Sequence, residues 1–445
     1  MHDDTQTVVI GAGLAGLSAA HHLNQVGIKA VVLEAGTGPG GRVQTTAKDG
    51  YLFDRGADAL TDSYTQYFKL LKAVGLADQI TPLPSLIGVV RNGRVVYVDM
   101  ASKWSLATSG FLSPLAKLRL LFGLKKVVPL WNGHQIAHMH RLSPLDDAQH
   151  DAAHHSRSVF GREASEYLID PLVRTLGGTG LKGSSWAEVI SGLGMANGAA
   201  YCLKGGQAAL PTALAAKADV RYGCRVSAIS EQSHGVSVAY QDADGHNRSL
   251  TAQGCVLATM YEDGCRIYPK LGELSVEYGR SHQYMKLGKV QLAYGAPTLT
   301  KAYAIQVPTV EDQSVMLIFL DHNKCRDRAP PGHSLVSVYS ETKAAAEYLT
   351  RSDEELTEWA RSYAERWFPE LSGKFVTSLV TRWPTMAPAG VPGQYARAAE
   401  LLPRMPAEGA RVQIACDMFS KTSQESAVTW GTDAASRLAR LLRPH

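Results

Sequence analysis

Apolar runs broken by glycines set the pattern of the first sixty residues. Val8-Val9-Ile10 is a short β-branched run suited to a buried parallel strand, and residues 14 to 26 follow it as a helix. A second apolar run, Val31-Val32-Leu33, ends at Glu34, where polar and glycine-rich sequence takes over. Far downstream, Val290 to Tyr294 alternates in the manner of a strand, with Lys289 at its start. Alternation by itself leaves the face of Lys289 undecided.

The glycines give the first pattern its chemistry. Gly11 permits a tight turn, Gly13 lets the backbone approach a pyrophosphate, and Gly16 lets the helix pack closely on the strand. Phosphates would sit on the free N–H groups around Leu14 and Ala15, at the positive end of the helix. Glu34, with Ala35 beside it, closes the second strand where a carboxylate accepts ribose hydroxyls and repels a 2′-phosphate. In Pro39-Gly40-Gly41-Arg42 a second turn offers more backbone N–H groups and one guanidinium, and Phe53-Asp54-Arg55-Gly56-Ala57 follows. The spacing describes a site for the ADP half of a dinucleotide.

This series of GxGxxG, Glu, Gly-Gly-Arg and Asp-x-Gly-Ala resembles the flavin amine oxidase and protoporphyrinogen oxidase superfamily. The resemblance implies FAD rather than NAD. It also implies an α/β fold, a Rossmann-like FAD-binding domain of the GR2 type (the amine oxidase fold), interleaved with an α+β substrate domain containing a mixed sheet and helices. The expected FAD-binding segments are 1–80, 200–275 and 395–445, and the substrate domain takes 81–199 and 276–394.

Other segments extend the likeness. Lys204-Gly205-Gly206-Gln207 is similar to the family's second Gly-Gly turn, and Arg225-Val226-Ser227-Ala228-Ile229 to the strand whose valine, here Val226, holds adenine. Cys255-Val256-Leu257-Ala258-Thr259 resembles the strand that re-enters the cofactor domain. Ala415-Cys416-Asp417 stands where the family has Ala-Gly-Asp, which places Asp417 beside the ribityl chain. Ser426, ahead of Trp430-Gly431, joins the expected cofactor set at the last helix. In the segment running from Tyr284 to Pro297, Lys289 matches the family lysine that holds a water against flavin N5, which implies a catalytic role.

The departures are informative. No tyrosine lies between Asp417 and Gly431, and Met386 stands near the place of the first ring of the aromatic pair that flanks the flavin in amine oxidases. That points away from simple alkylamines. Arg382-Trp383-Pro384 and Asp170-Pro171-Leu172 are closer to the protoporphyrinogen oxidase branch. No cysteine lies between Trp383 and Tyr395, so FAD is expected to be non-covalent.

The resemblance implies hydride removal from a small organic substrate at a carbon next to nitrogen, with dioxygen as electron acceptor and hydrogen peroxide as product. The alternatives are dehydrogenation of a carbon skeleton, as by protoporphyrinogen oxidases and carotenoid desaturases, and a non-enzymatic binding protein like the Rab GDP-dissociation inhibitors.

Composition narrows the setting. At 445 residues and 45% hydrophobic, the chain suffices for two cores. Lys plus Arg 45 against Asp plus Glu 41 leaves +4, without a single-sign tail, so no nucleic-acid partner is expected. Six cysteines show no metal or disulfide spacing, and no leader or anchor is read at either end, so the expectation is a cytoplasmic protein without an integral membrane segment. A homodimer stays open. Residues 111–131 mix Leu112, Leu115, Leu118, Leu121, Phe122 and Leu124 with Lys117, Arg119, Lys125 and Lys126. They read as an ordinary substrate-domain helix with snorkelling basic side chains, the alternative being weak peripheral contact with a membrane. His134, His138, His140, His150 and His154 recur at helical spacing, without the glutamate or cysteine of a zinc motif, and read as a solvated polar face rather than a metal site.

Overall fold

The computed structural model describes residues 6–131, 136–178, 180–196, 198–405 and 409–442. Its first layer is a five-stranded parallel sheet in the order Asp219–Arg221, Ala30–Leu33, Thr7–Ile10, Gly254–Leu257, Val412–Ile414. The β-branched runs lie fully buried in its centre, as a sheet covered on both faces requires. The first helix spans Leu14–Gln25, one residue short of the expected end. The last helix, Gln424–Leu442, packs on it at Gly431, where a Cβ would lie 2.1 Å from the Ala15 carbonyl oxygen, and the first helix closes on its strand at Gly16, where a Cβ would lie 2.0 Å from the Gly11 carbonyl oxygen. A three-stranded antiparallel sheet, residues 225–252, leads back into Gly254–Leu257.

The second layer is a seven-stranded mixed sheet, ordered Phe375–Pro388, Tyr284–Tyr294, Ser334–Ser340, Val315–Leu320, Ala304–Gln306, Leu86–Arg91, Arg94–Asp99. Its Tyr284–Tyr294 strand is covered on both sides. Val290, Leu292 and Tyr294 pack with Leu356, Ala360 and Ala364 of the helix Asp353–Trp367, while Ala293 packs with Tyr51 and Phe53. The alternation seen in the sequence therefore separates two buried faces rather than core from solvent.

Helices between residues 103 and 196 complete this half. The helix Pro114–Trp131 departs from the expected ordinary helix. It buries Ala116, Gly123 and Val127, with Leu120 and Leu124 half-buried beside them, and a Cβ on Gly123 would meet the Phe160 ring at 2.4 Å, so small residues sit at the centre of the contact face. Leu115, Leu118, Leu121 and Phe122 are turned outward instead, each more than half exposed. Among the described residues no helix is long and apolar enough to cross a membrane. His150 and His155 both contact Asp147 near the surface, and His138 and His140 pack edge-on against Trp430; His134 lies outside the described residues.

Candidate active site

The turn after the first strand is built by backbone. Gly11 has φ +99°, and its missing Cβ leaves room for the Ala258 carbonyl oxygen, which would otherwise lie at 2.8 Å. Gly13 has nothing within 4 Å of where its Cβ would be. The second turn docks on the first: the Gly40 N–H donates to the Ala12 carbonyl at 2.8 Å, and a Cβ on Gly41 would lie 3.3 Å from the Gly13 Cα. Glu34 holds the pair in register, accepting the Ala12 N–H at 2.6 Å and the Gly36 N–H at 2.7 Å. Its carboxylate keeps lone pairs free for two further donors.

Gly11, Gly13, Leu14, Ala15, Glu34, Ala35, Gly40, Gly41, Arg42, Gly56, Ala57, Val226, Asp417 and Ser426 all line one cavity of about 790 Å³. Gly16 lies behind it, in the helix–strand contact already described. Val226 is the second residue of the Arg225–Gln232 strand, beside a bulge, and Ser426 sits in the first turn of Gln424–Leu442. The residues anticipated for nucleotide contact are thus brought together around an open, helix-capped space, and they fit a dinucleotide's phosphates and ribose in chemistry.

Arg42 and Asp417, 375 positions apart, form an ion pair at 2.7 Å, and Arg42 also donates to the Met386 carbonyl at 2.8 Å. Burial alone would lower the Arg42 pKa, but Asp417 outweighs it and raises it above the ordinary value. The Thr422 hydroxyl adds a bond to the same carboxylate at 3.2 Å. Next to it, burial pulls His282 down to about 4, against the upward pull of Asp417, so that imidazole is neutral at physiological pH.

Away from the nucleotide turns the wall becomes apolar, with Leu287, Met316, Phe319, Trp383 and Met386 around Tyr339. One carboxylate interrupts it. Asp58 accepts from Lys289 at 2.8 Å, from Lys324 at 3.1 Å and from the Tyr339 hydroxyl. Lys324 also pairs with Asp321 at 2.6 Å. Burial would raise the Asp58 pKa, yet the two ammonium groups bring it down to about 2.

Lys289 lies midway along the strand Tyr284–Tyr294 rather than at its start, and it is fully buried but not a lining residue. Its ammonium is spent on Asp58 and on the Asp54 carbonyl, and its two neighbours Asp58 and Tyr339 present themselves to the cavity in its place. A charge with no water to solvate it takes the nearest carboxylate.

The sequence model for flavin containing amine oxidoreductases matches residues 14–439. The chain belongs to that family. It has the amine oxidase fold, in a family of flavin-containing oxidoreductases. Mitochondrial protoporphyrinogen oxidase of Nicotiana tabacum is 34% identical over 176 residues, 39% of this chain and 33% of that protein. Coproporphyrinogen III oxidase of Staphylococcus aureus is 28% identical over 182 residues, 38% of this chain and 36% of that protein. The matched region spans about a third of each of these relatives. Among solved structures, cyclohexylamine oxidase from Brevibacterium oxydans superposes with a TM-score of 0.77 at 18% identity, covering 99% of this chain and all of that one. A putative protoporphyrinogen oxidase from Exiguobacterium gives 0.76 at 16%, covering 98% and 99%.

Within this family member, five residues escaped the motif reading. Asp58 directly follows the Gly-Ala of the Asp-x-Gly-Ala element, and its position there was the available signal. Tyr339 and Lys324 come from separate strands and a short helix with no motif around them. Glu188 and Lys421, also on the cavity wall, form a buried ion pair whose carboxylate is further bonded by the Tyr395 hydroxyl.

Proposed function

We propose that the protein removes a hydride from a carbon next to nitrogen in a small organic substrate, with FAD held non-covalently and dioxygen taking the electrons to give hydrogen peroxide. The observation that carries this reading is the state of the buried carboxylates in the cavity wall. Asp58 is held by two lysines and a tyrosine, Glu188 by a lysine and a tyrosine, and Asp417 by an arginine. None is a free general base, which suits a reaction needing an oriented C–H and little else. FAD, when bound, supplies the two-electron acceptor. The chain's part is to hold the phosphates at Gly11 to Ala15 and Gly40 to Arg42, the ribose at Glu34 and adenine at Val226, and to surround the substrate with the apolar wall.

A second reading, dehydrogenation of a carbon skeleton, is favoured by one observation. The rings on the apolar wall, Phe319, Tyr339 and Trp383, come from the seven-stranded sheet, and the C-terminal segment brings Trp430 to the cavity, backed by Phe419 at 5.0 Å, with no tyrosine beside it. Anaerobic bleaching of the flavin against amines, porphyrinogens and polyenes separates the two: reduction by amines alone supports the first, and by porphyrinogens or polyenes alone the second. A flavin that resists all three classes defeats both.

Acid precipitation is expected to release all the flavin into the supernatant. The cavity-wall thiols Cys224 and Cys416 are both driven upward in pKa by burial, so neither is a thiolate ready to attach. Yellow colour left in the pellet would contradict non-covalent binding.

Lys289 enters the reading as a positioning residue that acts through Asp58. Lys289→Met is expected to slow reoxidation by oxygen at least about tenfold while substrate reduction changes little, because a positive charge near the site favours the oxygen half-reaction. Stopped-flow traces of each half-reaction decide this. Equal slowing of both would assign Lys289 to structure alone.

A further inference from the structure

We infer that Arg174 anchors a carboxylate group of the substrate. The inference rests on the proposed function, in that the cavity it borders is taken as the site of oxidation. Arg174 projects from the helix Asp170–Gly177, is fully buried and forms part of the cavity wall. Its Nη1 donates to the Val307 carbonyl at 2.5 Å, while Nε and Nη2 have no partner. These two nitrogens form one edge of the planar guanidinium, the edge whose spacing matches the two oxygens of a carboxylate.

No neighbouring acid fills that edge. Asp170 gives one oxygen to the Leu181 N–H and the other to the N–H and hydroxyl of Thr309. Asp312 is taken up by the N–H groups of Ser314 and Val315 and by the Tyr363 hydroxyl, and Glu341 accepts the Lys343 N–H. All three lend Arg174 a distant attraction, yet burial still pulls its pKa down. A buried cation with three of its five N–H groups idle is costly unless something completes it. Arg174 lines the cavity together with Thr175, Met285 and Thr342. A small organic carboxylate would place its charged end on Arg174 and leave its apolar part for the wall of Leu287, Phe319 and Trp383, which is the same cavity.

The test uses the flavin-loaded enzyme and pairs of probes: acetate, benzoate and 3-phenylpropionate, each beside its neutral amide. Binding is read from the flavin difference spectrum and independently from tryptophan fluorescence, since Trp383 lines the cavity. At least one carboxylate is expected to bind about 10- to 100-fold more tightly than its amide, the range of a charge-assisted hydrogen-bonded pair. Arg174→Gln should abolish the preference, and Arg174→Lys, which keeps the charge and loses the fork, should retain part of it; should the glutamine variant not fold, the lysine variant decides. Carboxylates that bind no better than their amides, or a preference that survives both substitutions, would overturn the anchor. A colourless protein would defeat the oxidoreductase reading instead, and the fluorescence titration would still test Arg174.

Discussion

Gly13→Val is expected to yield a folded protein that has lost its flavin. The Cβ of residue 13 points into open space with nothing within 4 Å, and the backbone there is extended, with φ −67° and ψ 170°, so valine fits the fold. The space it enters is the cavity itself, at the turn where backbone must approach the pyrophosphate. FAD affinity should fall more than about 100-fold, since a branched side chain replaces two or more phosphate hydrogen bonds of charged type. Gly16→Val is the control with the opposite outcome. Its Cβ would sit 2.0 Å from the Gly11 carbonyl oxygen and 3.2 Å from the Val9 side chain, against backbone that has no room to yield. A loss of at least about 3 kcal/mol, or no soluble protein, is expected there. Absorbance at the flavin band together with far-UV circular dichroism distinguishes the cases. A yellow Gly13→Val protein with a full flavin complement would show that the cavity's glycine turn does not hold the cofactor.

Asp58→Asn should be among the most destabilising conservative substitutions in this chain. Lys289 and Lys324 are both 0% exposed and share the Asp58 carboxylate. Lys324 keeps Asp321 after the change, but Lys289 is left with the Asp54 carbonyl as its only other acceptor. Breaking a buried pair by removing one partner costs on the order of 3–5 kcal/mol. The pH dependence carries its own signature. Because the folded-state carboxyl lies at about 2, below the ordinary 3.8, its contribution to stability is complete above the unfolded value and fades as pH falls from about 4 toward 2. Urea unfolding of both proteins between pH 6 and pH 3 should therefore show a gap that narrows only at the acid end. A gap already absent at pH 6 would mean that the lysines do not depend on Asp58.

What could be read from the sequence alone was local. The nucleotide turns rest on the conformations that only glycine adopts and on β-branched runs that suit a buried strand, and both are properties of a few consecutive residues. Fourteen of the anticipated residues accordingly meet around one cavity. Tertiary structure decided everything that depends on which distant groups share a buried space. Arg42 finds Asp417 across 375 positions, and Lys289 finds Asp58 across 231, because a buried charge must take whatever opposite charge the fold brings near. Alternation along Val290 to Tyr294 signalled a strand, yet it was silent on the facing of Lys289, since the helix Asp353–Trp367 covers one side and Tyr51 and Phe53 the other. The helix Pro114–Trp131 shows the same limit. Leucines spread around it marked no single buried face, and full burial fell to Ala116, Gly123 and Val127, whose small side chains let the helix close on Phe160 with Leu120 and Leu124 half-buried beside them, while Leu115, Leu118, Leu121 and Phe122 stay outside.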